Sequence, residues 1–121
     1  MVQTCRMLDL NKLYLDSTSS FHQMFTDKHL DDIKQVEVVL HGHCNAGTSY
    51  SDEKGVYLDL FEMWLVKNGI ANLLSLPRLE RDVFFVTYDT RTCWKIECPD
   101  GQILTLKKDK GLCEGFPYLD I

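Results

Sequence analysis

Apolar residues recur along this chain mainly with a period of two. The pattern is seen in Val36-Val38-Leu40, in Val56-Leu58-Leu60 and in the alternating part of Phe84-Phe85-Val86-Thr87-Tyr88, with turn-forming residues between these segments. A period of two puts successive side chains on opposite faces of an extended backbone, so the pattern predicts strands that each bury one face. Strands are expected near residues 11–16, 36–43, 47–51, 55–67, 84–90, 92–98 and 102–108. Two tight hairpins are expected, one at Asp89-Thr90-Arg91-Thr92 and one at Pro99-Asp100-Gly101. In the second, proline presets the first turn residue and glycine accepts a positive φ. The last third then reads as a three-stranded meander. Only Asn72 to Arg81 reads as helical, with Ser75 as a candidate N-cap and Pro77 tolerated in the first turn. The expected fold class is all-β, a small closed structure carrying one short helix.

The 121 residues suit one domain and are too few for two lobes of ordinary size, and no repeat or linker divides them. A net charge of -5, with acidic and basic residues interspersed, argues against direct nucleic-acid binding, which needs a concentrated basic face. Polypeptide partners are the expectation. No apolar run approaches the ~20 residues needed to span a bilayer, and residues 1–6 are not followed by the pattern of a secretory signal. Five cysteines without paired short spacings read as reduced thiols, and an intracellular setting is expected.

Candidate chemistry centres on Leu13-Tyr14-Leu15-Asp16-Ser17-Thr18-Ser19-Ser20-Phe21-His22. An apolar strand ends in a carboxylate, and the hydroxyl-rich loop after it can hold that carboxylate with backbone N–H groups and hydroxyls. By itself the segment reads first as an Asx turn or a helix cap, which Asp and Ser routinely form after a strand. Zinc is disfavoured: on a strand His41 and His43 share a face while Cys44 points away, and Cys93 and Cys98 also face opposite ways. No metal and no cofactor are expected. Cys44 has four histidines as conceivable bases and no feature pairing it with one of them. Trp64 and Trp94 read as strand-packing residues.

Taken in order, five segments resemble the protease domain of copia-type retrotransposon polyproteins across residues 13–113. Leu15 to His22 is similar to the family's L-D-S-G-A-T-S-H, and Cys44-Asn45-Ala46-Gly47 falls where the family has a flap hairpin. Gly69 to Leu76 is similar to G-L-S-K-N-L-L-S-V, and Phe85 to Asp89 to Y-x-V-T-F-D. Gly111-Leu112-Cys113 stands at the family's G-L-Y.

The resemblance implies a retropepsin-like, single-lobe barrel that works as a homodimer, an aspartic endopeptidase cutting its own polyprotein inside a cytoplasmic particle or the nucleus. It implies Asp16 as one half of a carboxylate dyad, Ser17 as the hydroxyl bracing the two loops, and Asn45, Ala46 and Gly47 as part of a substrate-covering flap. Leu73 and Leu74 are expected in the core beside the loop. Thr18 takes the place of the motif glycine, where a side chain is expected either to push the carboxylates apart or to block a donor N–H. The rival expectation is a catalytically inactive barrel kept as a dimerisation or folding module.

Overall fold

Leu13 and Tyr14 are adjacent in sequence and both buried, so the strand they share is covered on both faces and shows no alternation. That strand, β1 (Lys12–Asp16), lies inside the larger of the two sheets formed by the described residues. The computed structural model describes residues 9–44, 47–67, 69, 71–88, 93–108 and 117–121. Along the chain follow β2 (Gln23–Met24), β3 (Asp31–Cys44), β4 (Gly47–Tyr57), β5 (Phe61–Leu65) and β6 (Asn72–Ser75). After these come α1 (Leu76–Arg81), β7 (Phe85–Tyr88), β8 (Trp94–Glu97), β9 (Ile103–Thr105), β10 (Lys107–Lys108) and β11 (Pro117–Asp120). Among the described residues the fold is mainly β with one short helix, as the periodicity predicts.

The eight-stranded sheet has the order β10-β11-β1-β6-β2-β5-β4-β3, and β7-β8-β9 form an antiparallel meander, the one expected for the last third. The ladder order of the large sheet is open, running from β10 to β3. A closed barrel is therefore not formed by the ladders among the described residues. The core is closed instead by layering. Leu13, Met24, Phe61, Met63 and Leu74 of the large sheet meet Ile96, Cys98 and Leu106 from the region of the small one, with Leu79 of α1 and Phe84 between. Burial of each such aliphatic or aromatic side chain contributes roughly 1.5–3 kcal/mol. Leu106 marks the corner between the sheets. Its side chain is buried, its N–H donates to the Trp94 carbonyl at 2.9 Å, and the next two residues leave the meander to pair with β11.

Strand β6 runs parallel to β1 and antiparallel to β2, so it lies between the two strands that the 17–22 loop joins. Asn72 fastens this arrangement. Its side chain is fully buried, with Oδ1 accepting the Phe25 N–H at 3.0 Å and Nδ2 donating to the Leu10 carbonyl at 2.9 Å. Residues 72–75 are thus strand, which corrects the helical expectation for them. Hydrogen-bonding neighbours on both sides outweigh local propensity there. The helix begins only after Ser75, whose hydroxyl caps it by accepting the Arg78 N–H at 3.1 Å, with Pro77 in the first turn. Leu74 is core as expected, and Leu73 is half-buried.

The expected strand over 55–67 is divided. Leu58 and Asp59 both have φ +55, and Leu60 N–H donates to the Tyr57 carbonyl at 3.0 Å, which makes a primed turn between β4 and β5. Such turns are usually signalled by Asn-Gly, and Leu-Asp carries no such signal. The Pro99-Asp100-Gly101 turn forms as expected, with Gly101 at φ +93 and its N–H donating to the Cys98 carbonyl at 2.9 Å. The hairpin expected at residues 89–92 lies outside the described residues. Strand β3 begins five residues before the expected 36, at Asp31, and its pairing to β4 shifts register twice, between Asp31 and Lys34 and between Gln35 and Leu40. Those bulges hide the alternation at its start.

Candidate active site

Asp16 is the last residue of β1, and its Cα partner in the parallel ladder is Ser75, the last residue of β6. Parallel pairing brings both strand ends to the same edge of the sheet, where β1 turns into the 17–22 loop and β6 into α1. Oδ1 of Asp16 accepts two bonds from Thr18, one from its N–H at 2.9 Å and one from its hydroxyl at 2.8 Å. Oδ2 accepts the Ser19 hydroxyl at 2.6 Å. Partial burial acts to raise the carboxyl pKa, but the Ser19 hydroxyl together with the Thr18 N–H and hydroxyl outweigh it and hold Asp16 below the usual carboxylate value. Asp16 is ionised at neutral pH.

Thr18 keeps a negative φ, since the described non-glycine residues with positive φ are Asp32, Leu58, Asp59 and Val83. The loop therefore accepts a side chain at this position without left-handed backbone. The donor N–H that a side chain was expected to block is free to bond Asp16 and does so. The Thr18 hydroxyl adds a donor that glycine lacks. Ser17, expected to brace the two loops, is exposed at the start of this one.

Ser75 grips the loop at two points. Its hydroxyl donates to the Ser19 carbonyl at 2.6 Å, and its N–H donates to His22 Nδ1 at 2.9 Å. His22 is buried, meets the Phe61 ring edge-on at 5.8 Å, and accepts the Trp64 N–H on its own carbonyl at 3.0 Å. Desolvation first, then the Arg78 guanidinium, push His22 down to about 4, with Asp82 opposing. The imidazole is neutral at physiological pH. Sequence reasoning did not assign Ser19, His22 and Ser75 to the site. The sequence carries a signal for His22, which ends the matched motif, and for Ser75, whose cap position places it at the same strand end.

The flap residues are placed in part. Gly47 opens β4 and pairs with Cys44 to close the long β3–β4 hairpin, whereas Asn45 and Ala46 lie outside the described residues. The hairpin forms the far side of the sheet, with β6, β2 and β5 between β4 and the strand of Asp16. The structure thus shows a hairpin tip at the expected segment and does not bring it beside Asp16 in strand order.

Other candidate side chains have packing roles. Cys98 belongs to the core cluster, where burial and then the Asp100 carboxylate push its thiol up, and both Cys93 and Cys98 are free. Trp64 is buried between the edge of Phe21 and the Lys54 ammonium, 4.5 Å from its ring, and Trp94 packs on Tyr88. Among the described residues no group of three or more His, Cys, Asp or Glu is placed to hold a metal ion, and no helix is long and apolar enough to cross a membrane. Comparisons with family models, curated proteins and solved structures return no match.

Proposed function

We propose that this chain is the protease-type domain of a copia-like polyprotein, an aspartic endopeptidase with a retropepsin-like fold whose site is completed by a second copy. The observation that carries the reading is the Asp16 carboxylate itself. It stands at a strand end, is held ionised by donors of its own loop, and that loop is pinned to the strand lying between its two flanks. Oδ1 takes both Thr18 donors and Oδ2 the Ser19 hydroxyl, and the Ser19 N–H also acts on the carboxylate.

Two such carboxylates brought together by a two-fold axis cannot both stay ionised, so the pair shares a proton. The ionised member removes a proton from water while the protonated member donates to the peptide carbonyl. Each chain supplies one Asp16, the substrate is a polypeptide, the chain's own polyprotein first, and the reaction needs no cofactor.

A second reading is favoured by a specific feature of the same loop. Thr18 N–H to Asp16 Oδ1 is the geometry of an Asx turn, and two hydroxyls occupy the carboxylate as they do in a purely structural turn. On that reading the domain is a non-catalytic dimerisation or folding module. Incubation at high concentration and mildly acidic pH with a flanking polyprotein segment separates the two. The protease reading expects pepstatin-sensitive cleavage that Asp16→Asn abolishes while the chain stays folded. Cleavage surviving that substitution, or none by the wild type as a dimer, excludes it.

A further inference from the structure

The loop that begins at Asp16 ends at His22, and Ser75 links the two ends. Ser75 donates its hydroxyl to the Ser19 carbonyl and its N–H to His22 Nδ1, while the Ser19 hydroxyl donates to Asp16 Oδ2. His22 Nδ1 accepts a hydrogen bond and is therefore unprotonated, so the neutral ring carries its proton on Nε2. His22 is 4% exposed. It faces Ser75 from β6 and Phe61 from β5, and the charges that act on it come from Arg78 of α1 and from the helix C-cap, Asp82. An apolar residue in its place leaves the Ser75 N–H buried without this acceptor.

We propose that His22 is a positioning residue for the Asp16 carboxylate: its Nδ1 latches the end of the loop to the β6–α1 junction, and protonation of that nitrogen breaks this contact. This rests on reading Asp16 as the reacting group. A protonated imidazole presents N–H at Nδ1, so donor meets donor at Ser75 and the bond is lost. One of the two Ser75 contacts is then gone, and the segment whose Ser19 hydroxyl holds Asp16 is left with the Ser75 hydroxyl alone. With the ring's pKa near 4, the latch stays closed through mild acid, where carboxylate dyads work, and opens below it.

The test uses the whole 121-residue chain. Carboxyl-carbon NMR follows the Asp16 titration, and amide exchange follows Ser75, in the wild type, His22→Leu and His22→Asn. His22→Leu should raise the Asp16 pKa toward an ordinary carboxylate value and speed Ser75 exchange by about tenfold or more. His22→Asn, with an acceptor oxygen in place of Nδ1, should restore both. Wild-type behaviour of both probes in folded His22→Leu overturns the proposal. Should His22→Leu not fold, the wild type decides by the scalar coupling between the Ser75 amide and His22 Nδ1. That coupling is expected at neutral pH and should vanish as the ring titrates, and its absence at neutral pH overturns the latch. A chain that cleaves nothing while Asp16 still responds to His22 sinks the protease reading and supports the role of His22.

Discussion

Thr18 binds Asp16 twice, through its N–H and through its hydroxyl, and both bonds fall on the same carboxylate oxygen, Oδ1. A residue standing where the resembling family has glycine has thus become part of the carboxylate's support. The bonds favour the charged form and help to keep the pKa of Asp16 low.

Replacing Thr18 separates these two donors. Thr18→Val and Thr18→Gly both remove the hydroxyl and keep the N–H, so each should raise the Asp16 pKa, as read by NMR titration. On the protease reading Thr18→Gly takes away a donor that Oδ1 uses and so should not increase cleavage. Its stability should fall by about 1–2 kcal/mol, from the lost bond and the freer unfolded chain. An Asp16 titration identical in all three proteins would show that the hydroxyl contributes nothing.

Acid should weaken the fold before the carboxylates protonate. His22 is lowered from 6.5 to about 4 by burial and by Arg78, so between those values the unfolded chain binds a proton that the folded chain refuses. Stability is then fully present above about pH 6.5 and falls as pH drops toward 4, by on the order of 3 kcal/mol. Asp16, whose pKa is also lowered, adds a loss in the same direction below its unfolded value of 3.8. Urea denaturation at pH 7, 5.5 and 4.5 should show the decline in the wild type and a flatter profile in His22→Asn.

Val83 is a β-branched residue with φ +67 at the end of α1. Phe84 N–H donates to the Leu79 carbonyl at 3.0 Å and Val83 N–H to the Glu80 carbonyl at 3.4 Å, the pattern of a Schellman cap, whose left-handed position favours glycine. The Val83 side chain is 63% exposed, so little packing is at stake. Val83→Gly should therefore stabilise the protein by about 1 kcal/mol, the relief of strain exceeding the entropic cost of glycine. Thermal melting would register this as a rise of a few degrees, and a fall would mean that Val83 has contacts worth more than its strain.

The C-terminal strand is committed within the chain. β11 pairs with β1 on one side and β10 on the other, Lys12 Nζ lies 4.3 Å from the centre of the Tyr118 ring, and Ile121 N–H donates to the Asn11 carbonyl at 3.0 Å. Terminal strand pairing between copies is expected from the two-chain reading, yet β11 has both its edges occupied. Deleting residues 117–121 should consequently destabilise the monomer, exposing β1, rather than merely dissociate a dimer. Sedimentation with circular dichroism would tell these apart: a truncated chain that stays fully folded but monomeric would contradict this assignment.

Strand content was legible where one face is buried. The meander β7-β8-β9 and the Pro99-Asp100-Gly101 turn follow from alternation and turn chemistry within a few residues of one another. Asp16 was legible as a carboxylate closing a strand, because the apolar run before it and the hydroxyls after it are contiguous. β2 was not, since two residues carry no period, and neither was the turn at Leu58 and Asp59, whose left-handed conformations are imposed by the strands they join.

What the sequence by itself determined is therefore the β class, the cap at Ser75 and the carboxylate-bearing loop, all products of interactions within a few residues. Tertiary structure alone decided that residues 72–75 extend rather than coil. It also decided that the large sheet's ladder order stays open among the described residues, and that His22 meets Ser75 across 53 positions of chain. Each of these depends on which hydrogen-bonding neighbour the chain finds far along its length. A local pattern does not encode that choice, because the donor and acceptor become partners only once the sheet has formed.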